Sequence, residues 1–499
     1  MAWTETWNTD SIVYDELMNV RIVPLFLLLL PACQLAPTAQ SAAATRQPNI
    51  ILIVADDLGY GDLGSYGQKL IRTPHLDQMA AEGLRFTDFY AGSPVCAPSR
   101  CTLMTGKHPG HAYVRDNWEA GGWEEGAAEG QQPLLPDTAT LGRALQDAGY
   151  ETACIGKWGL GGPGSTGAPL NQGFDHFYGY LCQRQAHNFY PTHLWNDDER
   201  VELDGNVWKN LTGPHYAHDL MSEDALRWTR SQQDNPFFLL LTYTIPHLAL
   251  QVPEDSMAPY IGEWEDPPYE GGKGYLPHPT PRAAYAGMVS RMDRDIGRLL
   301  AQLKDMGLDE DTLVMFTSDN GATYDIGGAH TEFFQSNSDL RGAKGSVYEG
   351  GLRVPMIARW PGHIPKGEVT EAVGAFWDLF PTLLDVSGNE VIPEDFDGTS
   401  LLSVLRGNQT ASERTLYWEF PGYGNQQALR QGDWMLVRQQ LGKKEKTTTE
   451  LFNLATDRSQ ENDVASANPE LVLAMLARME VEHTPSLEFP LKGIDTAPN

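Results

Sequence analysis

Three groups of residues carry reactive or ligating side chains at spacings that suggest joint use. The first is Cys96-Ala97-Pro98-Ser99-Arg100-Cys101-Thr102-Leu103-Met104-Thr105-Gly106. Pro98 suits the first turn of a helix that ends at Gly106, since its missing N–H is not needed there and glycine closes a helix readily. Cys96 then stands at the helix N-terminus, where free N–H groups and the dipole favour an anion. Arg100 adds a rigid fork of donors suited to an oxyanion. The other two groups are Asp56-Asp57 and Asp319-Asn320. They offer four oxygen ligands with no histidine or thiol among them, and such hard ligands suit Ca²⁺ or Mg²⁺ rather than zinc. One Asp pair at a strand end is ordinarily a turn or a helix cap. Two pairs beside the Cys96 string read better as a metal site.

These groups need elements that bring them together. Ile50–Ala55 is a continuous apolar, β-branched run, the mark of a buried strand, and ends at Asp56-Asp57. Thr312–Thr317 runs likewise into Asp319-Asn320. Phe237–Thr244 leads to Ile245-Pro246-His247, Glu151–Ile155 to Gly156-Lys157, and Phe86–Tyr90 into the Cys96 loop. Helices alternate with them: one from Thr73-Pro74 to Gly83, one over Thr138–Ala148, and one whose apolar face carries Met288, Met292, Ile296, Leu299, Leu300 and Leu303. The expected fold is α/β, a large mixed, mostly parallel sheet sandwiched by helices. Ligands bind beyond the carboxyl ends of such strands. After about residue 400 come short strands at Thr415–Glu419, Ala428–Arg430 and Trp434–Val437, then a helix capped by Asn468-Pro469-Glu470. They predict a small C-terminal antiparallel sheet with one helix. The predicted domains are a leader and linker over 1–47, a catalytic domain over 48–405 and an α+β subdomain over 406–499. Glu263–Pro281 reads as a surface loop.

The Cys96 string carries every fixed position of C-x-P-S-R-x-x-L-x-T-G and closely resembles the type I sulfatase signature, within the alkaline-phosphatase-like superfamily. The resemblance extends through Asn49–Gly59, Leu340–Gly345 with Tyr348-Glu349-Gly350-Gly351, Ala428–Val437 and Glu450–Leu454. It implies that Cys96 is converted to formylglycine by a maturation enzyme. It also implies that an oxygen of the hydrated aldehyde attacks sulfur, and that one Ca²⁺ is held by Asp56, Asp57, Asp319, Asn320 and modified residue 96. By the same resemblance, Lys157 contacts the sulfate and the nucleophile, Lys344 binds the sulfate, and His247 lies near the leaving-group oxygen. One departure stands out. Many relatives have histidine where this chain has Gly159, which leaves open the base for sulfate release. His187 is a candidate base or substrate residue; His111 and His330 are weaker ones.

Composition narrows the function classes. The 499 residues carry 36 Lys and Arg against 66 Asp and Glu, a net charge of −30. That balance excludes a nucleic-acid binder, which needs basic surface, and an anionic-membrane binder. After the leader no run of eighteen apolar residues occurs, so no transmembrane bundle is expected. Ile22–Leu30 is an apolar core of signal-peptide length. It leads into Leu30-Pro31-Ala32-Cys33, which resembles a bacterial lipobox; the alternatives are a lipid anchor at Cys33 and plain cleavage near 42–44. Either implies export, to the periplasm or outer membrane in a bacterium. Cys101, Cys154 and Cys182 are an odd remainder, against a disulfide framework. The substrate expected is a sulfated carbohydrate, faced by Trp118, Trp123, Tyr190 and Trp195. The rival functions are a phosphonate or phosphate ester hydrolase and a non-catalytic sulfated-glycan binder.

Overall fold

The computed structural model describes residues 47–120, 126–208, 210–232, 235–272, 274–389, 395–408, 414–443 and 445–495. The leader, Cys33 and Trp123 lie outside them. The described residues fall within one compact unit, Arg46–Asn499.

Its centre is a ten-stranded sheet. Five strands run parallel in its middle, in the order Thr312–Ser318, Asn49–Asp56, Phe237–Pro246, Glu151–Lys157 and His176–Tyr180. The expected apolar runs thus became the central strands. The edges break the parallel pattern. Met356–Arg359 pairs antiparallel with the 312 strand on one side, and His193–Asn196 pairs antiparallel with the 176 strand on the other. The stretch expected as one strand over Phe86–Tyr90 is two short ones, Leu84–Phe86 and Phe89–Tyr90, in different sheets.

Period-two alternation divides the core between the faces of the sheet. Ile51, Ile53 and Ala55 pack with Met288, Met292 and Ile296 of the helix Pro281–Asp305. Ile50, Leu52 and Val54 face a second cluster with Leu103, Met104, Phe376 and Phe380. The helix expected from Thr138 begins at Leu141, because the Thr140 hydroxyl accepts the Arg143 N–H as its cap.

Four antiparallel strands, Thr415–Phe420, Gln426–Gln431, Trp434–Gln439 and Thr448–Asn453, form the smaller sheet. The helix Pro469–Glu482 packs on it through Met475 and Met479. Asn468 precedes that helix without capping it; its amide donates to Val464 O instead. Buried polar bonds tie the two sheets. Arg115 donates to Glu419, whose other oxygen meets His483 Nδ1 at 2.6 Å. Arg430 donates to Asp88 at 2.8 Å, and Trp418 Nε1 to Ala91 O at 3.0 Å. A charge held this way is costly to leave unpaired.

Candidate active site and metal centre

The polar side chains gather beyond the carboxyl ends of four adjacent parallel strands. Asp56 closes the first strand, and Asp57 follows in left-handed backbone at φ 63°. Asp319 and Asn320 follow Ser318, Lys157 closes its own strand, and His247 follows Pro246. Lys344 arrives on a loop fixed by two backbone bonds, Lys344 N–H to Ala322 O and Gly345 N–H to Pro94 O.

The signature string is the helix Cys96–Thr105, with Cys96 as its first residue. Three fixed positions have a visible local job. The Ser99 hydroxyl accepts the Gly92 N–H at 3.0 Å, pinning the preceding loop. Gly106 ends the helix at φ 67°, and a Cβ there would sit 2.9 Å from Phe380. Arg100, buried, donates from Nη2 to Asp319 at 2.8 Å and from Nη1 to Lys157 O.

The donors and acceptors interlock. Lys157 Nζ lies 2.6 Å from Asp56 Oδ2, and Cys96 Sγ lies 3.5 Å from Asp56 Oδ1. Lys344 Nζ is 2.8 Å from Asp57 and 2.9 Å from His247 Nε2. Burial pushes the Asp56 carboxyl up, but Lys157 and the other nearby positive groups outweigh it and hold Asp56 well below the usual carboxylate range. Asp319 goes the other way: burial and the Asp56 charge push it up to about 6. Burial also pushes the Cys96 thiol up to about 12, so an unmodified thiol stays protonated at neutral pH. His247 is held well below its ordinary value by burial and by Lys344. With Nδ1 against Leu248 O at 2.5 Å, its neutral form presents Nε2 as an acceptor towards Lys344.

Donor atoms of Asp56, Asp57, Cys96 and His247 lie within 4.8 Å of one another. Asn320 Nδ2 donates to Asp57 at 2.8 Å, while Asn320 Oδ1 is buried with no hydrogen-bond partner. A bare acceptor beside two carboxylates fits a hard cation. Asp319 adjoins this group but spends its oxygens on Arg100 and on the Asp57 N–H. Three carboxylates, Asp56, Asp57 and Asp319, face three cations, Arg100, Lys157 and Lys344. A divalent cation would therefore leave positive charge to receive an anion.

The remaining candidates separate. His187 joins the site, its ring stacked on His247 at 4.2 Å. Burial, with the positive charges of Lys157 and Lys344 nearby, holds its pKa well below the ordinary value. His111 does not join: it lies past the far end of the ten-residue signature helix, bonded to Asp397 at 2.9 Å. His330 precedes the short helix Thr331–Phe334 and makes no side-chain bond to the catalytic cluster among the described residues. Tyr190 is buried against Tyr216, and Trp195 bonds Glu129, so packing and structural bonding hold both rings. Trp118 is exposed and adjoins Asn117.

Gly159 and Gln183 connect to the start of the Cys96 helix through Asn117. Gly159 has φ 83°, and a Cβ there would lie 3.0 Å from Cγ and Nε2 of Gln183. The Gln183 amide thus fills the space a side chain at 159 would take. Its Nε2 donates to Asn117 Oδ1, which also accepts the Ala97 N–H at 2.9 Å, while Gln183 Oε1 is buried without a partner. The glycine was the only sequence sign of this pair.

Comparison with known proteins agrees with this geometry. The sulfatase family profile matches residues 48–389, and the profile described as N-sulphoglucosamine sulphohydrolase, C-terminal, matches 343–482. Steryl-sulfatase of Mus musculus is 32% identical over 454 residues, covering 77% of this chain and 69% of its own length. N-acetylgalactosamine-6-sulfatase of Canis lupus familiaris is 33% identical over 415 residues, covering 79% and 72%. Among solved structures, Ps i-CgsB in complex with k-i-k-neocarrahexaose is similar at a TM-score of 0.72 and 29% identity, over 87% of this chain and 92% of that one.

Proposed function

The chain belongs to the sulfatase family and is a sulfuric ester hydrolase, and on that premise we propose that it is an exported enzyme releasing sulfate from a carbohydrate, with one Ca²⁺ and formylglycine at position 96. The sugar-bound neighbour and the N-acetylgalactosamine-6-sulfatase relative support the carbohydrate. Export, by lipid anchor or cleaved signal, rests on Ile22–Cys33. The observation that carries the cofactor reading is the bare Asn320 Oδ1 beside Asp56 and Asp57, next to the complete signature at Cys96.

Asp56, Asp57, Asp319, Asn320 and residue 96 would hold the ion. The ion supplies Lewis acidity towards a sulfate oxygen, and formylglycine supplies an oxygen nucleophile that a thiol held near 12 cannot replace. The chain's own residues do the rest. Arg100 is locked by Asp319 and the Lys157 carbonyl, and so holds Asp319 in place. Lys157 and Lys344 bring positive charge to the sulfate oxygens without reorganising, because Asp56 and Asp57 already orient them. Lys344 Nζ, 2.9 Å from the acceptor His247 Nε2, would give its proton directly to the departing alkoxide, and His247 would orient that ammonium beside the leaving-group oxygen. His187 braces the His247 ring by stacking on it.

The test is sulfate release by protein co-expressed with a formylglycine-generating enzyme, against 4-nitrophenyl sulfate, the matching phosphonate and a panel of sulfated sugars. Mass spectrometry of the 96 peptide should show loss of sulfur and gain of oxygen. Cys96→Ala should abolish turnover with the fold intact. Preferred turnover of the phosphonate would move the enzyme to that chemistry, and sugar retention without sulfate release would make it a binding protein.

A further inference from the structure

A cavity of about 780 Å³ opens beside Lys344, lined among others by Tyr324, Asp325, Glu332, Gln335 and Tyr423. Lys344 lies in its wall with Nζ committed to Asp57 and His247, so the cavity adjoins the reacting centre. Two aromatic residues in its wall are open to solvent: Tyr423 is 64% exposed and Tyr324 47%. The Tyr423 backbone is left-handed, at φ 46° and ψ 37°, a conformation that costs a non-glycine residue energy and persists where the surroundings enforce it. The enforcement is visible. The ring packs edge-on against Phe420 at 5.5 Å. It also covers Gly345 so closely that a Cβ there would lie 2.3 Å from two ring carbons. Gln426 Nε2 holds Gly345 O at 2.7 Å, and Gly345 N–H holds Pro94 O at 2.8 Å. A strained, exposed ring is thereby tied to the loops that carry Lys344 and Cys96.

The charges in the cavity are the second observation. Among the described lining residues the charged groups are Asp325, Glu332 and Lys344, and the lysine is already engaged. An additional sulfate or carboxylate on the substrate would enter without a cation to meet it and would face two carboxylates, on a chain of net charge −30. Sugar hydroxyls are good donors to Asp325, Glu332 and the Gln335 amide, and the apolar face of a pyranose suits a tyrosine ring.

We infer that this cavity binds the part of the substrate beyond the scissile sulfate as uncharged sugar stacked between Tyr324 and Tyr423, so the preferred substrate carries a single sulfate on an otherwise neutral glycan. The inference rests on the sulfatase reading above and narrows its substrate class.

The test uses matured full-length protein and three probes: 4-nitrophenyl sulfate, a neutral disaccharide carrying one sulfate, and the same disaccharide carrying a second sulfate. The expected result is a kcat/KM at least tenfold higher for the monosulfated than for the disulfated sugar. Tyr423→Ala should raise KM for the monosulfated sugar about tenfold, and Tyr423→Phe should restore it, since the ring face does the binding. Asp325→Lys should narrow the discrimination against the second sulfate. Equal or better turnover of the disulfated sugar overturns the inference, as does an unchanged KM in a folded Tyr423→Ala protein. Turnover of 4-nitrophenyl sulfate with no sulfate released from either sugar overturns the inference and leaves the sulfatase reading standing. Failure on all three probes overturns that reading, and the inference with it.

Discussion

Replacing Gly159 by alanine tests the packing around Cys96 quantitatively. Gly159 sits at φ 83°, where a non-glycine residue costs about 1–2 kcal/mol. The new methyl group would also stand 3.0 Å from Cγ and Nε2 of Gln183. Moving that amide off its rotamer costs about 0.5–1.5 kcal/mol. Gly159→Ala should therefore destabilise the protein by roughly 1.5–3.5 kcal/mol. In a Gln183→Ala background the second cost vanishes, because the obstructing atoms are gone, and only the backbone cost remains. A double-mutant cycle by chemical denaturation should thus show a favourable coupling of about 1 kcal/mol. Turnover should follow. Gln183 steadies Asn117, whose Oδ1 holds the Ala97 N–H beside the nucleophile. Gly159→Ala should lower kcat in the wild-type background and have little further effect once Gln183 is alanine. Additivity within about 0.3 kcal/mol would refute the argument that Gln183 occupies the place of a side chain at 159.

Removing Ca²⁺ with a chelator should suppress kcat, and metal analysis should return about one ion per active chain; activity untouched by complete removal would defeat the metal assignment. Asp319→Ala should lower both kcat and the melting temperature, because it leaves the buried Arg100 guanidinium without its carboxylate, whereas Asp319→Asn should keep more of the stability and still lose kcat; full activity in a folded Asp319→Asn protein would count against the assignment. His187→Ala should lower kcat and His187→Phe should largely restore it, if the ring acts by stacking on His247; failure of phenylalanine to rescue would return His187 to the role of a base. His176 lies 2.8 Å from Asp224 and 3.0 Å from Asp197. Burial lowers its pKa, the carboxylates outweigh burial, and the net shift is upward. The stabilisation is thus complete below the unfolded value of about 6.5 and is lost as pH rises through the higher folded value. His176→Gln should flatten the fall in denaturation midpoint across that window, and an unchanged slope would count against the pair.

The sequence was most legible where one local rule governed. Ile50–Ala55 and Thr312–Thr317 are short, apolar on both faces and rich in strand-forming residues, which suits a central strand, and as parallel neighbours they bring the carboxylates at their ends together. The signature helix was readable from Pro98 and Gly106. The antiparallel edges were not, because strands such as Glu199–Glu202 are short and exposed and carry no apolar period. Gln183, Asn117 and Tyr423 were hidden for a different reason. Each acts through a partner distant in the chain, 66 residues away for Gln183 and Asn117. The aromatic residues expected at the site came from composition near the motifs, and Tyr190 turned out to serve the core, whereas Tyr423 comes from the C-terminal sheet region.

Cys96 is 1% exposed in the finished fold. A maturation enzyme must grasp the segment as open chain, so the proposed conversion belongs to the time before the site closes. That time has a lower bound set by chain connectivity. Arg100 reaches its carboxylate partner Asp319 across 219 residues, and the loop of Lys344 comes later still. At synthesis rates of about 5–20 residues per second, the segment waits on the order of ten to forty seconds before its partners exist. If Cys96 is converted as proposed, long-range closure would provide a processing window, and the fraction of active enzyme would be set by a race between conversion and folding. Slower elongation between residues 100 and 344 should raise that fraction without altering a single contact in the folded protein.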